Sequence, residues 1–374
     1  MKRIKSIDTL RGWCIFMMVF GHMLSWWVRS EDRWLTSAIH SIFGDIIGTG
    51  FLFVSGLSAV LFFKSRLIKA EASEDINIEH VNNEYLFRAL LILIAALIFN
   101  CITAIGTLNP LNIWKWYIPL TIAISLLLAF STLKTPKWFR ILLAVIIWIF
   151  HYYILSILLP YQGQIHVFGV LFHILYNSMG LHPILFYFSF FLIGTVVGDI
   201  MFEIFLIDNQ KERRSQFKKK ILLPLLTIGS ILLLIAFLFL FPSFLLHATF
   251  SSTVYSLGTL FVSFSVLLIF EEYEIIKVEK SYRFFLFYSF YSFTIYFSHF
   301  ILYFIFLNRL NAFNFWIAFF GTFILLTLLI RIVYKRYNIK ASLKVQIARI
   351  SLILVTRMEV KKKKKDRILL QSKT

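Results

Sequence analysis

Long apolar stretches separated by short polar segments run along almost the whole chain. Ten windows of about 20 mostly apolar residues are each long enough to cross the roughly 30 Å hydrocarbon core of a bilayer as a helix. Helix is the expected form because a single segment in lipid must satisfy its own backbone N–H and C=O groups. The pattern therefore predicts an all-α integral membrane protein with about ten transmembrane helices. The predicted spans are 10–28, 43–63, 87–106, 113–131, 138–159, 183–206, 221–241, 248–270, 284–307 and 312–333.

The composition agrees with this prediction and excludes a water-soluble enzyme. Hydrophobic residues occupy 59% of the 374 positions and charged residues only 15%, whereas soluble domains carry about 25% charged residues. The chain nevertheless contains 38 Lys and Arg against 19 Asp and Glu, which gives a net charge of +19. Its two cysteines, Cys14 and Cys101, lie in apolar stretches and indicate no disulfide framework.

The basic residues are concentrated between alternate pairs of spans. With ten spans and a cytoplasmic N-terminus, the cytoplasmic segments together with the span ends beside them hold 34 of the 38 Lys and Arg residues. These segments are 1–11, 64–88, 132–140, 207–220, 271–283 and the tail from 331. Because positive charge accumulates on the cytoplasmic side of membrane proteins, both termini are predicted to be cytoplasmic in a multi-pass plasma-membrane protein. The excess charge then sets orientation, and no nucleic-acid partner is expected. Asp199 and Glu203 end the sixth span and are expected to pair with the basic loop after it.

The end of the chain differs from the rest. We divide the chain into a polytopic transmembrane domain at 1–335 and a basic cytoplasmic tail at 336–374. Residues 340–358 have the pattern of an amphipathic interfacial helix, and a run of lysines follows at 361–365. A basic run beside a membrane attracts anionic lipid by about 1 kcal/mol per charge. The bilayer and its anionic lipids are therefore the expected partners of the tail.

Two ionisable residues lie within the first span. An ionisable side chain in a span costs some 2.5–3.5 kcal/mol on insertion scales and is a functional candidate by default. Arg11 and His22 are eleven positions apart, which at 100° per residue places them on one helix face, about 16 Å apart along the axis. The alternative is structural, with Arg11 paired to Asp8 and His22 bonded to a backbone carbonyl.

Two further polar residues are candidates in other spans. Asp45 opens the second span, where a carboxylate would orient the His22 imidazole as a general base; the alternative is that Asp45 caps the helix N-terminus. His299 lies in the ninth span, on a stripe with Ser292 and Tyr296, and is either functional or a packed bundle residue. No HExxH motif or other metal-ligand spacing occurs, so no metal site is predicted.

Three segments resemble a known superfamily. RIKSIDTLRGWCIFMMVFGHMLSWW at 3–27, FGDIIGTGFLFVSGLSAVLFFKSR at 43–66 and SFTIYFSHFILY at 292–303 are similar to the transmembrane acyltransferases. That superfamily includes the acyltransferase-3 proteins and the catalytic region of heparan-alpha-glucosaminide N-acetyltransferases. In the animal heparan enzymes the position of His22 tends to be Asn, with the catalytic His further out. Because His40 aligns poorly with that His, the base is placed at His22, in the acyltransferase-3 manner.

The resemblance implies acyl transfer across the membrane. The donor substrate would be cytoplasmic acyl-CoA, usually acetyl-CoA, with no permanently bound cofactor, and the acceptor would be a hydroxyl or amine of an extracytoplasmic saccharide. His22 would act as the general base, with Asp45 and His299 as further catalytic residues. Direct transfer and an acyl-enzyme intermediate both stay open. The cations expected to bind the CoA phosphates are Arg11, Lys64, Arg66 and Arg88.

Two other functions compete with the acyltransferase. A secondary transporter or lipid-linked-glycan flippase would use His22, Asp45 and His299 as a proton relay. The other competing function is a membrane scaffold that catalyses no reaction. Transporter folds often contain internal repeats, and none is evident in this sequence. The sequence leaves open the acceptor, the acyl chain length and the choice between a monomer and a homodimer.

Overall fold

Fourteen α-helices form the scaffold of the computed structural model, which describes residues 4–72, 77–177, 182–246, 249–275 and 283–371. In the described part, every regular element is helical, and one isolated backbone bridge joins Val28 to Leu310. The all-α prediction is confirmed. The helices are α1 Lys5–Trp27, α2 Arg33–Glu71, α3 Ile78–Gly106, α4 Ile118–Thr132, α5 Lys137–Leu158, α6 Val167–Leu175, α7 Ile184–Phe205, α8 Gln210–Phe217, α9 Leu223–Phe239, α10 Phe250–Glu272, α11 Arg283–Phe290, α12 Ser292–Ser298, α13 Ala312–Tyr337 and α14 Leu343–Gln371.

Seven helical stretches of the described chain are long and apolar enough to cross a membrane, or up to eight if a bent pair is one span. The first helix, α1, is not one of them. It has 23 residues, but its polar stripe with Arg11 and His22 lowers its hydropathy. Helix α4 is apolar but shorter. The chain is thus a multi-pass membrane protein, and the count of ten spans stays a prediction.

Contacts gather the basic segments at one end of the bundle. The backbone N–H groups of Lys5 and Ser6 donate to the Glu271 carboxylate at 2.7 and 2.6 Å, so the start of α1 meets the end of α10. At the other end, the backbone N–H of Arg29 donates to the carbonyl of Leu310 at 2.9 Å. These groupings match the predicted alternation of loops, while the sides of the membrane on which the termini lie stay predictions.

Helices α2 and α7 pack with their backbones in contact. A methyl group at Gly56 would overlap the carbonyl oxygen of Phe191, and one at Gly194 would overlap that of Phe53. Because glycine has no side chain, the two backbones can approach this closely. Small residues allow the same close approach at other helix interfaces in membranes. One glycine on each helix therefore allows the backbones of α2 and α7 to pack this closely.

Two carboxylates of α7 have partners other than the expected ones. Asp199 forms ion pairs with Lys64 of α2 and Arg140 of α5, and Glu203 pairs with Lys137 of α5. The expected pairing with the basic loop after α7 is wrong. Helix α5 packs along α7, so its basic residues reach these carboxylates across the helix interface.

The ninth predicted span is broken rather than straight. The axes of Phe284–Phe290 and Ser292–Phe304 differ by 74°. At the break, the Ser342 hydroxyl donates to the carbonyl of Phe290 at 2.6 Å, and the Leu343 N–H donates to the Thr294 hydroxyl at 3.0 Å. A broken helix is tolerated at membrane depth where other groups satisfy its backbone. Ser342 satisfies the Phe290 carbonyl in this way, and Thr294 in turn satisfies the first N–H of α14.

Candidate functional site

One face of α1 borders two cavities. We call the first the arginine cavity; Arg11 and Ile15 line it together with residues of α2, α3, α4, α12 and α14. The second is the histidine cavity, lined by Met18 and His22 together with residues of α2, α4 and the segment before α7. Positions 11, 15, 18 and 22 repeat at helical spacing, as expected for one face. The prediction that Arg11 and His22 share a face is confirmed.

The two cavities differ in size and share part of their walls. The histidine cavity has a volume of about 520 Å³ and the arginine cavity about 120 Å³. The side chains of Phe51 from α2 and Ile118 from α4 line both. These two residues therefore mark the boundary between the cavities.

A polar network fixes the guanidinium of Arg11. It donates to Asp8 Oδ1 at 3.4 Å, to the Ser289 hydroxyl at 3.3 Å and to the Ser58 hydroxyl. The Ser289 hydroxyl in turn donates to Asp8 Oδ1 at 2.7 Å. The ion pair between Arg11 and Asp8, which the sequence offered as a purely structural role for Arg11, is therefore present. Arg11 also lines the cavity, so the pair holds this cation in place at the cavity wall.

The other predicted cations divide into two groups. Arg88 lines the arginine cavity, and its guanidinium lies 4.8 Å from the centre of the Phe62 ring. Arg66 pairs with Glu84 at 3.0 Å, and Lys64 pairs with Asp199. Neither Lys64 nor Arg66 is among the described residues that line the cavity. The structure thus brings Arg11 and Arg88 together and places the other two in ion pairs.

The imidazoles of His22 and His299 are hydrogen-bonded, and their other contacts set the direction of that bond. The Nδ1 atom of His299 lies 2.5 Å from the carbonyl oxygen of Tyr296. Because a carbonyl only accepts, His299 carries its proton on Nδ1, and its Nε2 keeps a lone pair. That Nε2 lies 3.3 Å from Nδ1 of His22, so His22 donates from Nδ1 and keeps the lone pair of its own Nε2. This is the tautomer that a general base at Nε2 requires.

Aromatic rings enclose the histidine pair. The Trp26 indole stacks on His299 with ring centres 5.6 Å apart and contacts His22 edge-on at 5.0 Å. Phe300 packs against both imidazoles. His299 is buried, with 3% of its surface exposed, while His22 is only partly buried. His299 is therefore the enclosed member of the pair, and His22 is the one that borders the cavity.

Two further histidines, His40 and His182, line the same cavity, and neither is among the predicted catalytic residues. His40 Nδ1 lies 2.9 Å from the carbonyl of Thr36, so by the same reasoning its Nε2 keeps a lone pair. His182 lines the cavity from the segment before α7. The missed signal is a polar and small-residue stripe on α2 at helical spacing, formed by Ser37, His40, Ser41, Gly44 and Gly48.

Asp45 does not cap a helix end. It is buried within α2, twelve positions after the first residue of that helix. The residue hydrogen-bonded to Nδ1 of His22 is His299, at 3.3 Å. The role of Asp45 in orienting His22 stays a prediction.

In the described ranges, no group of three or more His, Cys, Asp or Glu side chains is arranged to hold a metal ion.

Comparison with known protein families gives a match over most of the chain. The sequence model of the family described as heparan-alpha-glucosaminide N-acetyltransferase, catalytic, matches residues 3–242. The matched region includes Arg11, His22 and Arg88, whereas His299 and helix α14 lie beyond it. No curated protein matches the chain.

Proposed function

The chain belongs to the heparan-alpha-glucosaminide N-acetyltransferase catalytic family of membrane acyltransferases, and from this premise we propose that it transfers an acetyl group across the membrane. Acetyl-CoA would bind at the arginine cavity from the cytoplasm, and a saccharide hydroxyl or amine on the opposite side would enter the histidine cavity. The observation that carries the proposal is that α1 lines both cavities and that Phe51 and Ile118 border each of them.

The arginine cavity suits the donor. CoA carries several phosphate charges, and Arg11 and Arg88 present guanidinium groups that recognise phosphate in a fixed geometry. Serine hydroxyls and apolar side chains make up much of the remaining wall. A narrow, mainly apolar passage of this kind fits a single extended chain such as the pantetheine arm. The thioester would then reach the boundary at Phe51 and Ile118.

The histidine cavity suits the acceptor and the proton transfer. In the proposed step, the acceptor oxygen or nitrogen attacks the thioester carbonyl while His22 Nε2 takes its proton. A C–O or C–N bond forms, the C–S bond breaks, and the CoA thiolate leaves and receives that proton from His22. His299 accepts the Nδ1–H of His22 throughout and is a positioning residue, because it acts through His22.

The proposed location is the plasma membrane, with the basic tail on anionic lipid. The charge distribution supports the orientation and the contact of the tail with lipid, since 34 of the 38 Lys and Arg residues fall in the segments predicted to be cytoplasmic.

Label transfer tests the proposal. Purified full-length protein is incubated with radiolabelled acetyl-CoA and extracted cell-envelope glycans, and CoA binding is measured in parallel. Wild type is expected to label the glycan, and His22→Gln to bind CoA but transfer about 10²–10⁴-fold more slowly. The matched control is His166→Gln, at an exposed loop imidazole. His40→Gln should cost less than His22→Gln; the reverse order would move the base to His40.

Two outcomes would refute the proposal. The first is wild-type protein that neither binds CoA nor transfers label. The second is glycan movement across a membrane that depends on His22 but needs no acetyl-CoA, as expected of a transporter.

A further inference from the structure

The C-terminal helix α14 forms part of the arginine cavity. Lys344 and Ile347, both near its start, line that cavity together with Arg11 and Arg88. Helix α14 lies outside the region that the family model matches. The sequence placed this segment in a separate basic tail, where lysines are expected to meet lipid headgroups.

Hydrogen bonds fix the start of α14 directly beside Lys344. The Ser342 hydroxyl donates to the carbonyl of Phe290, and the Leu343 N–H donates to the hydroxyl of Thr294. Ser342 is fully buried. The backbone before Lys344 is therefore held on the broken span, next to Ser292 and Phe293, which also line the cavity.

Polar contacts fix α14 further along as well. Glu359 bonds to the imidazole of His80 at 3.0 Å, and Lys362 pairs with Glu79 at 2.8 Å. Ile347 packs in a small cluster with Ile92 of α3. The helix therefore runs antiparallel to α3 from the cavity wall to the start of α3. This placement limits how far the Lys344 side chain can move from the cavity.

The charges around the cavity favour an anion. Arg11, Arg88 and Lys344 are cationic, and no carboxylate is among the described residues that line the cavity. Among the described carboxylates, Asp8 pairs with Arg11 and Glu84 pairs with Arg66. Two guanidinium groups and one ammonium group thus line this cavity, and a bound polyanion would attract all three.

We propose that Lys344 binds a phosphate group of the acyl-CoA donor, so that α14 is a structural part of the donor site. The inference rests on the proposed function. An ammonium on a flexible stem suits a phosphate whose position is set by the two guanidinium groups. Lys344 would thus act in substrate binding, unlike the exposed lysines of the same segment.

Binding measurements on purified full-length protein test this. Affinity is measured for CoA and for pantetheine, which carries no phosphate, with wild type, Lys344→Gln, Lys344→Arg and the control Lys340→Gln at an exposed position. Lys344→Gln should weaken CoA binding about 10-fold or more and leave pantetheine binding unchanged. Lys344→Arg should retain most of the affinity, and Lys340→Gln should stay within about twofold of wild type.

The outcomes separate this inference from the function on which it rests. Lys344→Gln that binds CoA as wild type does, or that loses CoA and pantetheine binding equally, would overturn the role of Lys344. An equal loss in Lys340→Gln would assign the effect to general surface charge and would also overturn it. Wild type that binds no CoA would instead refute the proposed function.

Discussion

The Nδ1 atom of His22 lies 3.3 Å from Nε2 of His299, although 277 residues separate them in the chain. The carbonyl of Tyr296 fixes the proton of His299, and His299 then fixes the proton of His22. The position of the His22 lone pair, which we propose as the base, is therefore determined by a backbone carbonyl two hydrogen bonds away. The family match includes only the first of these residues, so the orienting partner comes from the last third of the chain.

The His22–His299 relationship is tested with a double-mutant cycle. His299→Phe keeps an aromatic ring beside Trp26 and removes both ring nitrogens. In the wild-type background it should lower kcat at least about 10-fold, because His22 loses the partner that sets its tautomer. In the His22→Gln background it should have almost no further effect on kcat. Two fully additive losses of kcat would show that His299 acts independently of His22.

A larger side chain at the boundary between the cavities should separate donor binding from transfer. Ile118 is 4% exposed and lines both cavities. Ile118→Phe should narrow the passage and lower kcat about 10-fold or more, with CoA affinity changed little; Ile118→Val should stay close to wild type in both. Overpacking costs typically 1–3 kcal/mol, so thermal unfolding is measured for both variants. An unchanged kcat in folded Ile118→Phe would place the acyl path elsewhere.

The contact between α2 and α7 should depend on glycine. Gly56→Ala would push a methyl group into the carbonyl of Phe191 and should destabilise the fold by about 1–3 kcal/mol or more. The control is Gly106→Ala, where nothing lies within 4 Å of the added carbon. Thermal unfolding in detergent should show a lower Tm for Gly56→Ala only. Equal Tm values would mean that the two backbones are further apart than described.

Two carboxylates of α7 should differ in their effect on stability. Asp199 pairs with Arg140, which is 1% exposed, so Asp199→Asn leaves a buried cation without its counter-charge and should cost about 3–5 kcal/mol. Glu203→Gln removes a surface pair with Lys137 and should cost about 0.2–1 kcal/mol. Equilibrium unfolding of the two variants gives the comparison. A smaller loss for Asp199→Asn than for Glu203→Gln would contradict the assignment.

The helical periodicity of the sequence predicts which residues share one face of a single helix. The common face of Arg11 and His22 follows from eleven steps of 100°, and the cavities confirm it. The all-α architecture follows from the requirement that backbone groups be satisfied in lipid. Both depend on local geometry, which a sequence carries directly.

Contacts between distant segments could not be predicted in the same way. Membrane helices are apolar on nearly every side, so their hydrophobic pattern does not show which face meets which neighbour. The hydrogen bond between His22 and His299 therefore has no signal in the pattern of either segment. The bend after Phe290 has no proline or glycine to mark it; it depends on Ser342 and Leu343, which follow some 50 positions later.

Transfer across a sealed membrane tests the central claim most directly. Protein is reconstituted into vesicles that contain radiolabelled acetyl-CoA, with cell-envelope glycans only outside, and the outer glycan is assayed for label. In our account, the acetyl group passes between the two cavities at the boundary formed by Phe51 and Ile118. Wild type should therefore label the outer glycan, and His22→Gln should label it about 10²–10⁴-fold more slowly. Label that appears only when donor and acceptor share one compartment, or at equal rates in both proteins, would contradict the account.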